Sequence, residues 1–317
     1  MTISSLVFVK TSSLGDVIHH MPAMTDARRA FPKAHIAWVV EAPYVPLVRL
    51  HPGVDEVLPV ATRRWRQSWY KPETIAEIRN ALSALRARRH DIAIDTQGLM
   101  RSAILTQVIR GNRHGYDRDS IRERAAAIFY DVKHAVPRSL HAIDRNRVLT
   151  GAALGYTPQG ALDFGLRPQT STNVRDYAVL LHGSAGLRKE WSDENWLLVG
   201  RALAASGVRA VLPWGSPRER ERAERLAAQL PRAEARGGEG LGSVAQMIAG
   251  ARLVIGLDTG LLHLAAAYAV PLIGIFVASD PTLTAPRGTG LITVLGAPGE
   301  PPAAAAVTAA IPPLLGV

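Results

Sequence analysis

L-V-F-V-K-T-S-S-L-G-D-V-I-H-H-M-P-A, residues 6–23, is the stretch from which the fold is read. An apolar run of strand length ends in a loop of small residues, and a helical pattern follows. The first amides of a helix lack intrahelical acceptors, and the positive end of the helix dipole points the same way. A junction of this kind therefore receives anions. The second half repeats the arrangement in L-V-I-G-L-D-T-G-L-L-H-L-A-A-A, residues 253–267. Two acid-plus-glycine turns, one per half, predict an α/β chain of two Rossmann-like domains facing each other across a cleft.

Working outward, buried-looking apolar runs alternate with longer helical patterns, as in parallel sheets. Strands are expected near 6–10, 35–40, 57–60, 91–95 and 113–116, with helices near 16–30, 73–89, 99–110, 120–130 and 140–153. The polar, proline-bearing stretch 166–173 reads as a linker. Beyond it, strands are expected near 177–181, 209–213, 252–256 and 271–277, and helices near 193–205, 217–229, 243–250 and 260–268. The domains are accordingly drawn at 1–168 and 169–317, with the Pro- and Ala-rich tail 297–317 expected to pack back on the first domain.

The 317 residues suffice for two cores, and 47% hydrophobic with 20% charged residues is a globular composition. The absence of cysteine excludes disulfides, thiolate metal sites and cysteine nucleophiles. The apolar run Leu6–Val9 is too short for a signal-peptide core, and Leu261–Ala278 is broken by His263 and Pro271. A cytoplasmic protein is expected. The formal charge of +10 is uneven: residues 1–150 hold 23 basic and 14 acidic residues, residues 151–317 hold 14 and 13. An anionic partner for the first half is expected, with solvated surface arginines as the plain alternative.

Asp16, at a predicted helix start after Ser12-Ser13-Leu14-Gly15, is placed to take a proton from a substrate hydroxyl, or simply to cap the helix. Asp258-Thr259-Gly260 precedes Leu261-Leu262-His263; the free amides there suit a diphosphate, and Asp258 a ribose or sugar hydroxyl. The alternatives are an N-cap and a satisfied core histidine. In Leu181-His182-Gly183-Ser184-Ala185-Gly186-Leu187-Arg188-Lys189, small residues leave room for phosphate, Ser184 can donate a hydrogen bond, and Lys189 can neutralise a leaving diphosphate. An ordinary loop with solvated bases is the other reading. After Leu212-Pro213-Trp214-Gly215, one of Glu219, Glu221 and Glu224 could reach a nucleotide ribose. Arg63-Arg64-Trp65-Arg66-Gln67-Ser68-Trp69-Tyr70 reads as a basic, aromatic loop able to grip carboxylates and phosphates. Asp117-Arg118-Asp119 reads as a surface turn and not a metal-holding pair.

With these pieces placed, the chain resembles the lipopolysaccharide heptosyltransferases over nearly its whole length. The motifs appear in order: V-K-T-S-S-L-G-D-V-I-H, W-V-V-E at 38–41, R-R-W-R at 63–66, I-D-T-Q-G-L at 94–99, L-P-W-G at 212–215 and D-T-G-L-x-H at 258–263. The amino-terminal motif together with R-R-W-R favours the type I branch.

The resemblance implies a B-type glycosyltransferase fold and inverting transfer of heptose from ADP-L-glycero-D-manno-heptose to Kdo-bearing lipid A, with no metal and no cofactor. It makes Asp16 the base and Lys189 the diphosphate-stabilising group. Ser184, Glu219, Asp258, Thr259, Gly260, Leu261 and His263 fall on the donor side. Ser13, Gly15, Arg63, Arg64, Arg66, Gln97 and Arg122 fall on the acceptor side. Ala185 departs from the family pattern, which often has a second hydroxyl residue there. A monomer, peripherally bound to the anionic cytoplasmic face of the inner membrane and without a nucleic-acid partner, is expected. The alternatives are a type II or III enzyme acting on a heptosylated acceptor, a sugar-nucleotide epimerase on the same fold, and a non-enzymatic binding protein.

Overall fold

The computed structural model describes residues 3–167, 176–183 and 190–316. Strand β1, Ser5–Val9, is buried at every position, as the apolar run Leu6–Val9 requires of a strand covered on both faces. It pairs in parallel with β2, His35–Glu41, on one side and with β4, Arg89–Asp95, on the other. With β3, Glu56–Val60, β5, Arg110–Tyr116, and β6, Val132–His134, these strands form a six-stranded parallel sheet ordered β3-β2-β1-β4-β5-β6.

A second six-stranded parallel sheet follows. It contains β7 Tyr177–Leu181, β8 Arg209–Trp214, β9 Ala233–Gly237, β10 Leu253–Leu257, β11 Leu272–Ile275 and β12 Ile292–Leu295, in the order β12-β11-β10-β7-β8-β9. Read from its own first strand, this is the same topology as the first sheet, and both are Rossmann-like. The chain divides into compact units Met1–Gly165 and Leu166–Val317. Most of the expected linker lies outside the described residues.

The sequence expectations missed β6, β9 and β12. All three are sheet edges, where half-exposed strands such as Val132-Lys133-His134 and Ala233-Glu234-Ala235-Arg236-Gly237 need no apolar run. The helix expected over 120–130 is instead a 3-10 turn, Arg124–Phe129. The basic stretch expected to be a loop is helical over Thr62–Ser68, with Trp65 buried in the core.

The tail, expected to pack on the first domain, buries its apolar side chains in the core of the second unit. Ala304, Val307, Ile311 and Leu315 join Leu180, Trp196, Leu203, Leu212 and Ile255. Trp191 and Trp196 meet edge to face at 5.3 Å, and the indole N–H of Trp191 donates to the Pro302 carbonyl at 3.1 Å. Arg252 donates to the Leu315 carbonyl at 2.9 Å. Ile311→Ala should therefore lower the stability of the second unit by about 2–5 kcal/mol in denaturant unfolding. An unchanged midpoint would mean that the tail contributes nothing to that core.

Candidate active site

The strand order places a topological switch between β1 and β4 in the first sheet and between β7 and β10 in the second. Ligands of open α/β sheets bind outside the carboxyl ends of the strands at such points. The loop after β1 runs directly into the helix Leu14–Ala30, with Ser13 as its N-cap and Asp16 in its first turn. The Ser13 amide donates to Asp16 Oδ2 at 2.8 Å, and the Ser13 hydroxyl reaches the same oxygen at 3.3 Å. The capping geometry is thus realised with one carboxylate oxygen. Asp16 Oδ1 has no hydrogen-bond partner among the described residues. One oxygen fixes the carboxylate and the other is left without a bond among the described residues.

Gln97, after β4, is buried and holds that loop in place. Its carbonyl Oε1 accepts the amides of Thr11 and Ser12 at 3.1 and 3.2 Å. Gln97 is itself placed by Asp95, whose Oδ1 accepts the amides of Gln97 and Gly98 at 2.8 and 3.1 Å. The other Asp95 oxygen accepts the Tyr130 hydroxyl at 2.8 Å. Burial pushes the Asp95 carboxyl up, against the pull of these donors, and pushes the Tyr130 phenol up as well. Gly98 turns with φ +68°, a conformation suited to glycine, and its carbonyl accepts the Glu123 amide at 3.2 Å. This brings the chain at Arg122 beside the site.

The three arginines of the 62–68 helix divide. Arg63 points at the Ser12 hydroxyl, 3.5 Å away, where Arg101 also donates at 2.9 Å. Arg64 instead pairs with Glu77 at 2.5 Å, and Arg66 is exposed. Lys10, at the end of β1, is buried and donates to the Thr96 carbonyl at 2.7 Å and to Asn146 Oδ1 at 3.2 Å. Burial lowers its pKa, while the charges of Asp16 and Asp95 raise it.

In the second unit Glu219 completes a capping box on the helix Pro217–Ala227, its Oε2 accepting the amides of Gly215 and Ser216 at 2.9 and 3.0 Å. Its Oε1 lies against Gly183, where a Cβ would stand 2.6 Å from it. Asp258, after β10, accepts the Ser279 hydroxyl and lies 3.9 Å from His263 Nε2. His263 is buried on the helix Gly260–Ala267, which Thr259 caps. The Thr259 hydroxyl itself is buried and has no hydrogen-bond partner among the described residues. Ser184 and Lys189 lie outside the described residues.

Comparison with known proteins decides the family. The family model of glycosyltransferase family 9 (heptosyltransferase) matches residues 78–307. The chain belongs to this family. Lipopolysaccharide heptosyltransferase 1 of Escherichia coli O18:K1:H7 is 41% identical over 301 residues, 93% of this chain and 92% of its own length. The structure of E. coli heptosyltransferase WaaC with ADP superposes with a TM-score of 0.92 at 38% identity, covering 98% of this chain and 99% of that one. The same protein with ADP-2-deoxy-2-fluoro heptose gives 0.88 at 40% identity, covering 97% and 98%. The B-type glycosyltransferase fold expected from the sequence is the fold found.

In this heptosyltransferase the carboxyl ends of β1 and β4 bring together Ser13, Gly15, Asp16, Arg63 and Gln97, while Arg64 is turned to Glu77. Sequence reasoning missed Lys10, Asp95, Arg101, Tyr130 and Asn146. The buried charge of Lys10 after an apolar strand was the one signal available, since buried lysine is rare without a partner. Gln97→Ala should cost about 1–3 kcal/mol in equilibrium unfolding, because two buried amides lose their acceptor. Unchanged stability would show that water replaces the carboxamide.

Proposed function

We propose that this heptosyltransferase moves L-glycero-D-manno-heptose from ADP-heptose to Kdo-bearing lipid A, inverting the anomeric centre in a single displacement. Asp16 takes the proton of the acceptor hydroxyl as its oxygen attacks the anomeric carbon. The bond from that carbon to the diphosphate breaks, and ADP departs with the electron pair. Lys189 and the amides at the start of the Gly260–Ala267 helix, with Thr259, take up the charge on the diphosphate. Asp258, Leu261 and His263 complete the donor loop, Ser184 bonds a phosphate, and Glu219 Oε1 meets the ribose. No metal is needed for this route, because cationic and dipolar groups of the protein meet the leaving charge.

The first domain takes the acceptor and the second the donor. Arg63, Arg66 and Arg122 face the phosphates and carboxylates of the acceptor, and Ser13, Gly15 and Gln97 shape its site. The enzyme works as a monomer held reversibly at the cytoplasmic face of the inner membrane, which fits the basic excess of residues 1–150. Among the described residues no helix is long and apolar enough to cross a membrane.

One observation carries this reading: an aspartate with one oxygen anchored and one open sits at the switch point of a chain 41% identical to a lipopolysaccharide heptosyltransferase 1. Incubation with ADP-heptose and Kdo-bearing lipid A in the presence of EDTA should give heptosylated product. Product only from an acceptor already carrying heptose would replace this reading with a type II or III activity. Arg63→Ala should raise the KM for acceptor about tenfold or more and leave donor affinity unchanged. Arg64→Ala, whose guanidinium is already paired with Glu77, should have the smaller effect. Equal effects in steady-state kinetics would remove the distinction between them.

A further inference from the structure

The outer edge of the first sheet carries charges that the proposed reaction does not use. Beside β6, the side chains of Arg118, Arg124, Ala125, Ala127, Ile128 and Lys133 line a concavity of about 510 Å³. Three of the six are cationic and none is acidic. Three of the nearby acids are engaged elsewhere. Asp117 accepts the Ser120 amide at 2.8 Å, and Glu123 accepts the Met100 amide at 2.6 Å. Arg113 holds both oxygens of Asp131, at 2.6 and 2.8 Å. Arg124 approaches Asp119 only to 4.0 Å, and Arg118 and Lys133 have no ion-pair partner among the described residues.

Ile128 stands among these cations and is 73% exposed. On the adjoining helix Met100–Val108, Ile104 is 52% exposed, and Gln107 of that helix ties it to the 3-10 turn through the Phe129 carbonyl. A lysine on an edge strand discourages strand pairing, which would account for Lys133 alone. It does not account for two arginines around an exposed isoleucine. A larger concavity in the second unit, about 530 Å³, makes the contrast clear. It holds three arginines too, but acids stand among them: Arg222 and Arg225 pair with Asp193 at 2.8 and 2.9 Å, and Arg218 pairs with Glu190 at 2.8 Å.

The geometry points to the Arg118–Arg124–Lys133 concavity as the seat of an anionic phospholipid headgroup, with Ile128 entering the apolar boundary of the bilayer. Guanidinium groups match phosphate oxygens with paired donors, and an apolar side chain beside them adds the second signal that stable surface binding needs. The inference rests on the membrane-bound reading above. It adds the surface that carries the contact, which is separate from the arginines of the 62–68 helix and from Asp16.

The test is sedimentation of the full chain with vesicles of phosphatidylcholine alone, and with vesicles of equal parts phosphatidylcholine and phosphatidylglycerol. The wild type should bind the anionic vesicles and not the neutral ones. The combined Arg118→Glu, Arg124→Glu and Lys133→Glu variant should bind on the order of 100-fold more weakly. Its transfer to a detergent-free, short-chain acceptor should be unchanged, which shows that it is folded. Should that transfer be lost, the milder pair Arg118→Gln and Lys133→Gln provides the same comparison. Ile128→Asp should weaken binding at raised salt, where screening leaves the apolar contact in charge. Wild-type binding by the charge-reversed variant overturns this site and leaves membrane association to another surface. No binding by the wild type overturns the membrane reading and this site together, while transfer to the soluble acceptor still stands or falls alone. Equal binding to neutral vesicles overturns the phosphate seat.

Discussion

The carboxamide oxygen of Gln97, shared between the amides of Thr11 and Ser12, ties the loop after β1 to the loop after β4. The geometry of the first unit's site follows from that tie. It can form only because β1 and β4 are neighbours, an arrangement set by the order in which the strands enter the sheet. Asp95 extends it by binding the Gln97 and Gly98 amides and the Tyr130 hydroxyl, so the tie reaches from the centre of the sheet to the segment before β6. Such a hydrogen-bonded network, buried where an unpaired amide would be costly, fixes a loop more sharply than apolar packing does. Ser13 and Asp16 begin where the network ends.

The two units use one device in two places. Asp16 and Glu219 each stand in the first turn of a helix, and each spends one carboxylate oxygen on the amides that precede the helix. Capping and chemistry are therefore compatible roles for a single carboxylate. The cap sets the position of the group and leaves the second oxygen, which in Glu219 lies against Gly183. Asp16 follows β1, at the point where the strand order reverses, and Glu219 follows β8, the strand next to the reversal in its own sheet.

Much of this was legible in the sequence, and the rest was hidden for physical reasons. The central strands announce themselves because burial on both faces demands continuous apolar residues, as in Ser5–Val9 and Leu253–Leu257. The edge strands β6, β9 and β12 do not, since half-exposed backbone accepts Lys133, Glu234 and Thr293. The helix Thr62–Ser68 is disguised by its arginines, because only Trp65 of its residues is buried. Asp16 was legible from the turn it occupies. The role of Gln97 as a tie was not, because it depends on register between strands more than 80 residues apart. The separation of Arg63 from Arg64 was hidden too, since the partner that claims Arg64, Glu77, lies on another helix.

The central claim is that Asp16 caps a helix with one oxygen and serves as base with the other. Asp16→Asn separates these functions, because the amide oxygen still accepts the Ser13 N–H while the basicity is gone. Single-turnover transfer by Asp16→Asn, measured beside its unfolding midpoint, is the direct test. The account predicts an unchanged midpoint with transfer reduced about 10²–10⁴-fold. A variant equally stable and as fast as the wild type would contradict it, leaving Asp16 a helix cap and placing the base elsewhere.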